Sequence, residues 1–326
     1  MVPKAPARET QPGFLYIPPY RVQGFSIAGE GTVVQVPELD ICFDIGMCPR
    51  MVLPSPTLAI SHGHMDHVGG LPYWLSQRHF QKLGAGRVVC HRKLEGPIRR
   101  MLESWVDLER QKTPFELVGV EDGEEIAIRP NLFLRAIEVS HTSPSMGWAV
   151  IERRSKLKEE YHDLPQDRLV ELKSRGISIT KTLEIPLVAY TGDTEMGPFL
   201  YRPEFAEAKI VVSECTFFDA DHRGRAKIGR HLHVEDLAQL VRAWKAEAVV
   251  VVHLSRRSPL GLIRERLDAI DGGAHRDRLL VLMDHRANRR RHEQQLAEDG
   301  GGDTSARSEH ADVETASAGS SEDHSA

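Results

Sequence analysis

The sequence predicts an α/β layered domain. Short apolar runs alternate with helical stretches along the whole of 14–286. Hydrophobic residues make up 40% of the 326 and charged residues 27%, which is ordinary globular composition. No apolar run approaches the roughly 18 residues a membrane-spanning helix needs. Many strands with helices interspersed fit stacked layers better than a bundle or an all-β sandwich.

Taken in order, the strands begin at 32–36 (TVVQV), 41–43 (ICF) and 57–60 (TLAI), each closed by Gly, Pro or Asp turns. A helix is expected over 71–83, a strand at 87–90 and a helix over 95–109. Strands follow at 115–118, 132–139, 148–151, 187–190 and 210–212. The helix over 234–245 has apolar residues at i, i+3, i+4 spacing, as has the helix over 260–270. Between and after them lie the strands 248–253 (AVVVVH) and 279–283 (LLVLM). No internal repeat of solenoid period is visible.

Two stretches stand apart. Residues 291–326 carry nine Asp+Glu against two Arg and few large apolar residues, so a disordered acidic tail is expected. The whole chain has a net charge of −5, so the rest is slightly basic. Residues 152–184 form a charged insertion between two strands, opened by Arg153, Arg154, Lys156 and Lys158. Such a run is either a solvated face or an arm that grips a polyanion. The N-terminus, MVPKAPARETQPGF, lacks the apolar core of a secretory signal. The four cysteines are too few and too spread for a disulfide scaffold or zinc ribbon. A cytoplasmic location is therefore expected, with no membrane and no DNA partner.

The chemistry is concentrated in residues 61–67, Ser-His-Gly-His-Met-Asp-His, which directly follow the strand TLAI. With sixteen His in the chain, three His and one Asp at fixed places arise by chance on the order of a few times per thousand such sequences. Neutral imidazoles with a carboxylate suit Zn²⁺ or a similar ion. Four donors cannot fill two metal shells. His141, Asp193 and His253, each at the carboxyl end of an expected strand, complete a set able to hold two ions.

This H-x-H-x-D-H loop, the lone His, the Gly-Asp-Thr after a strand and the final strand-end His resemble the metallo-β-lactamase fold. The segments YRVQGFSIAGEGTVVQVPELDICFDIGMCPR, SHGHMDHVGGLP, YTGDT, SECTF and HLHVEDLAQLVRAWKAEAVVVVHLSRR resemble tRNase Z (ribonuclease Z), in its short plant-type form. The resemblance spans about 20–285. It implies a four-layer αββα sandwich over 20–286, preceded by a 1–19 extension. It implies one ion held by His62, His64 and His141, another by Asp66, His67 and His253, and Asp193 between them. The ions would be two Zn²⁺ per chain, or Mn²⁺. Asp66 would also hold a proton of the attacking water. His231 matches the family's general acid, Glu214 the group that orients it, and Thr216 supports both. His233 is a second candidate acid or simply a helix N-terminal residue. Asp44 is either a partner of a ligand imidazole or a turn residue. Arg257 would touch RNA, although Ser258 stands where the family has an aromatic. Cys215 reads as a small buried residue.

The implied activity is removal of the 3′ trailer from precursor tRNA by a homodimer. Two rivals share parts of this pattern. A hydrolase of small phosphodiesters or other esters would need the same donors, and a non-catalytic tRNA-binding relative would have lost some of them.

Overall fold

The computed structural model describes residues 11–300. Fourteen strands among them fall into two seven-stranded sheets, each in chain order. The first contains β1 (Gly13–Ile17), β2 (Tyr20–Ile27), β3 (Gly31–Val36), β4 (Ile41–Phe43), β5 (Thr57–Ala59), β6 (Gly86–His91) and β7 (Phe115–Val120). The second contains β8 (Glu125–Arg129), β9 (Leu132–Val139), β10 (Ser145–Leu157), β11 (Thr180–Tyr190), β12 (Ile210–Glu214), β13 (Ala248–Val252) and β14 (Leu279–Val281). In each sheet three antiparallel pairings are followed by three parallel ones. The two halves of the chain therefore repeat one plan that no sequence period reveals.

The helices are α1 (Met65–Val68), α2 (Leu71–Phe80), α3 (Arg92–Glu109), α4 (Gln166–Ser174), α5 (Pro203–Ala206), α6 (Arg223–Gly229), α7 (Val234–Ala243), α8 (Leu260–Asp268) and α9 (His285–Gly300). Parallel strands need crossovers, and α2, α3, α7 and α8 lie in those connections. They bury Trp74, Leu102, Leu237, Leu240 and Ile263 against the sheets. Each such side chain contributes roughly 1.5–3 kcal/mol of transfer free energy. All five residues of β13 are buried, as befits a parallel strand covered on both faces. The sheets meet face to face, with the rings of Phe43 and Tyr190 stacked at 5.0 Å. A bridge from Ile27 to Leu254 ties their ends together beside the site.

The expected helix over 71–83 stops at Phe80, where Lys82 and Gly84 take positive φ. The insertion is not a separate piece. Its ends continue β10 and β11 as a hairpin beyond the sheet, paired from Glu152↔Ile185 to Leu157↔Thr180. A register shift follows Val150, where Pro186 enters the ladder and cannot donate a hydrogen bond. At the tip, α4 has no buried residue.

Both expected boundaries of the domain move outward. β1 lies within 1–19 yet pairs with β2. The tail expected from 291 is helical as far as 300, and 301–326 lie outside the described residues. Composition misled because α9 docks through polar contacts. Asn288 Nδ2 donates to the carbonyls of Val281 and Leu282 at 3.1 and 2.9 Å. Gln295 Nε2 reaches Tyr16 O at 3.0 Å, and His292 meets the edge of Phe14 at 5.1 Å. Asn288→Ala should therefore destabilise the protein by about 1–3 kcal/mol in denaturant unfolding, since the Leu282 carbonyl loses its donor and the Val281 carbonyl keeps only Asp284 N. A change below ~0.5 kcal/mol would mean that α9 contributes little to the fold.

Candidate metal centre

Every expected donor lies at one end of the sandwich. Three residues after β5 come His62 and then His64, Asp66 and His67, the last two on α1. This loop packs so closely that a Cβ on Gly46 would sit 1.8 Å from Asp66 O, so only glycine fits there. His141 follows β9. Gly192, in the left-handed region at φ 59°, turns the chain after β11 to deliver Asp193. His253 follows β13 directly.

The ligand atoms of His62, His64 and His141 lie within 4.8 Å of one another, and so do those of Asp66, His67 and His253. Asp193 Oδ2 stands between the two groups, 3.8 Å from His62 Nε2 and 3.2 Å from both His67 Nε2 and His253 Nε2. His62, His67, Asp193 and His253 are buried, while His64 is exposed.

The electrostatics of this cluster call for cations. Burial, reinforced by His67, holds the His62 imidazole well below its ordinary pKa, so it is a neutral donor. Burial likewise lowers His64 and His141. Burial opposes charge on His67 as well, but Asp193 and Asp44 outweigh it and raise its pKa. Burial would raise the Asp193 carboxyl, yet His253 and His67 hold it well below the usual range.

The hydrogen bonds point the same way. His67 Nδ1 donates to Asp44 Oδ2 at 2.8 Å, and His253 Nδ1 to Thr216 Oγ1 at 2.9 Å. In the neutral rings both Nε2 atoms are then lone pairs, only 3.4 Å apart and beside two carboxylates. His62 Nε2 is buried with no hydrogen-bond partner. Facing lone pairs and an orphaned nitrogen suit bound divalent ions, and the His/Asp set is of the Zn²⁺ or Mn²⁺ type.

Around the donors runs a layer that fixes their rings. Asp44, at φ 56°, accepts from Ser61 N at 2.6 Å and Ser61 Oγ at 2.7 Å, and from Tyr190 OH at 2.6 Å. It is at once a left-handed turn residue and a hydrogen-bond partner of His67 Nδ1. Thr216 passes its own proton to Glu214 Oε2 at 2.7 Å. Glu214 Oε1 accepts from Thr194 N at 2.7 Å and from His231 Nδ1 at 3.0 Å. Burial disfavours the His231 cation, but Glu214 and then Asp193 push its pKa up to about 9. Its ring stacks on His253 at 5.1 Å.

A family model described as the β-lactamase superfamily domain matches residues 52–254. tRNase Z TRZ1 of Arabidopsis thaliana is 32% identical over 258 residues, covering 77% of this chain and 91% of that protein. The chain belongs to the tRNase Z family. The nuclear ribonuclease Z of Triticum aestivum is 35% identical over 169 residues, 52% of this chain and 96% of that protein. The crystal structure of the short form of human tRNase Z shares the fold, with a TM-score of 0.51, 17% identity, and coverage of 72% of this chain and 92% of that one.

The remaining expected residues of this tRNase Z family member divide. His233 is not placed as an acid. It caps α7, with Nδ1 accepting from Glu235 N at 3.3 Å and Nε2 donating to Asp219 O at 3.0 Å. Arg153 lies over the Phe133 ring at 4.2 Å, with its guanidinium held by Glu184 at 2.8 Å and Glu125 at 2.7 Å. Arg154 pairs with Glu152, while Lys156 and Arg257 are exposed and Lys158 is half-buried. Ser258 is buried with its hydroxyl unpartnered. Burial raises the Cys215 thiol well above its ordinary pKa, as fits a packing residue.

Four contacts to the centre were not anticipated. Ser61 and Tyr190 hold Asp44, and Thr142 Oγ1 reaches His64 Nε2 at 3.3 Å. Arg230 exchanges two hydrogen bonds with His141, through its carbonyl to Nδ1 at 3.0 Å and its guanidinium to His141 O at 2.9 Å. Ser61 at least adjoins the His-rich loop, but Arg230 lies 89 residues from its partner. Asp44→Asn tolerates the left-handed backbone but removes the charge that faces His67. It should lower metal affinity about 10–100-fold in chelator competition while the fold persists. Unchanged affinity would show that Asp44 serves only the turn.

Proposed function

We propose that the protein is an endoribonuclease that removes the 3′ trailer of precursor tRNA. It would hydrolyse the bond after the discriminator to leave a tRNA 3′-hydroxyl and a trailer 5′-phosphate. The observation that carries this reading is the Glu214–His231 pair set against the seven-donor cluster, in a member of the tRNase Z family. A hydrolase of activated small esters needs the donors but has no use for a held proton donor.

His62, His64 and His141 would hold one Zn²⁺, and Asp66, His67 and His253 the other, with Asp193 between. Bound there, the ions would supply charge stabilisation at phosphorus and an acidified water. Asp66 is anchored by Gly29 N at 2.8 Å and partly exposed, so it can hold a proton of the attacking water. The leaving group is a ribose 3′-oxygen, a poor one without protonation. His231 keeps Nε2 for that transfer because Glu214 engages Nδ1. Thr216 links the acid to His253, so one hydroxyl orients both a ligand and the proton donor.

The hairpin would meet tRNA by shape and phosphate contacts through Arg154, Lys156 and Lys158, with Arg257 nearer the site. Arg153 is left out because Glu184 and Glu125 both hold its guanidinium against Phe133, whereas the more exposed Arg154 has the single partner Glu152. A homodimer, as the family resemblance implies, would have apolar contacts to draw on in the exposed Tyr73, Phe80, Trp105 and Leu108 of α2 and α3. All four cysteines are free, in keeping with a reducing compartment such as the cytoplasm. Among the described residues no helix is long and apolar enough to cross a membrane.

His231→Ala tests this assignment. Cleavage of a 3′-extended tRNA, with product ends mapped, should fall roughly 10²–10⁴-fold while metal content is unchanged. Hydrolysis of bis(p-nitrophenyl) phosphate should be largely kept, because nitrophenolate leaves without a proton. Equal losses on both substrates would remove His231 as the acid. A wild-type protein that cuts the diester but never the tRNA would favour the small-ester hydrolase.

A further inference from the structure

Helix α9 carries its charges against its own dipole. Residues 285–292 contain four Arg and two His and no acid, while Glu293, Glu298 and Asp299 lie in the second half. The N-terminal end of a helix is its positive pole, so this order is unfavourable at both ends. Arg286, Arg289 and Arg290 are exposed and spaced i, i+3, i+4, so like charges also crowd one face.

Among the described residues none of these three has a carboxylate within 4.0 Å. Asp284, just before the helix, caps it by accepting from Ala287 N at 3.1 Å and is also held by Arg264 at 2.5 and 2.6 Å. Some exposed arginines elsewhere are paired, as Arg21 is with Glu38, Arg129 with Asp40, Arg242 with Asp271 and Arg256 with Glu30, while others, such as Arg100 and Arg266, stand alone among the described residues; what sets α9 apart is three unpaired ones on one helix face.

The location gives this conflict a use. β14 runs parallel to β13, with Val281 level with Val251, two residues before His253. Adjacent strands are roughly 5 Å apart, so α9 starts at the same end of the sandwich as the donor cluster and beside it. A local arrangement kept against helix stability marks a functional surface.

We infer that Arg286, Arg289 and Arg290 form a phosphate-binding stripe for the RNA substrate, on the rim of the site and distinct from the hairpin arm. The inference rests on the tRNA-processing reading above. Side chains three and four apart on a helix stand roughly 5–6 Å from one another, so one backbone strand can meet more than one of them. Each guanidinium can engage phosphate oxygens as a fork. A bound phosphate would add a second anion to the Asp284 carboxylate that caps α9.

The test compares the full-length protein with an Arg286→Gln, Arg289→Gln, Arg290→Gln variant and with the matching triple Lys variant. Binding to a 3′-extended tRNA is measured from 50 to 200 mM NaCl. The Gln variant should bind about tenfold or more weakly at low salt. Its slope of log affinity against log salt should be shallower by roughly 1–3, near 0.9 per lost contact. The Lys variant should keep the wild-type salt slope, since it keeps the point charges, and lose less affinity than the Gln variant, the loss that remains being that of the guanidinium forks. Hydrolysis of bis(p-nitrophenyl) phosphate should be the same in all three, which checks the fold and the centre. If the wild type binds and cuts tRNA but the Gln variant keeps its salt slope, the stripe is overturned and the tRNA reading stands. That is also the result expected if the acidic residues of 301–326 were the occupant. A wild type that neither binds nor cuts tRNA overturns the functional reading itself.

Discussion

One buried carboxylate joins the parts of this molecule that matter most. Asp44 leaves β4 in a left-handed turn and accepts four hydrogen bonds, two from Ser61 and one each from His67 and Tyr190. Ser61 begins the His-rich loop, His67 is a donor of the centre, and Tyr190 ends a strand of the opposite sheet. Each bond to a charged acceptor is worth roughly 1.5–3 kcal/mol, and a buried carboxylate without them would be costly. The two sheets are thereby locked together at the point where each presents its strand ends, and the rings are fixed before any ligand arrives.

The same logic explains why the donors tolerate one another. Five imidazoles and two carboxylates converge where lone pairs face lone pairs. Carboxylate neighbours raise the pKa of His67, while burial lowers those of His62, His64 and His141 and so favours the neutral imidazole that binds a cation. Divalent ions meet those lone pairs with defined geometry where protons would not. Glu214 extends the network outward by linking the His253–Thr216 pair to His231. His231 is thus held by the same hydrogen-bond layer that orients His253.

Much of this was legible in the sequence because strand ends and short loops are local features. His62, His64, Asp66 and His67 lie within six residues, and His141, Asp193 and His253 each follow a clear apolar run. Ser61, Tyr190, Thr142 and Arg230 were not legible, since only tertiary approach gives a serine, tyrosine, threonine or arginine such a role. His233 caps α7, a backbone contact that residue type alone does not announce. The edges of the fold were missed for a different reason. β1 and β8 are five residues each, and α9 docks by Asn288 and Gln295 rather than by an apolar stripe. The arm also proved less basic than its opening suggests. Residues 151–184 hold eight Lys or Arg against seven Asp or Glu.

The measurement that bears most directly on the centre is metal content per folded chain, read by elemental analysis after dialysis against metal-free buffer and titration with Zn²⁺. Two ions per chain are expected, with the second essential for cleaving 3′-extended tRNA. Full cleavage activity at one ion per chain would contradict the two-ion centre, and with it the division of the seven donors into two groups around Asp193.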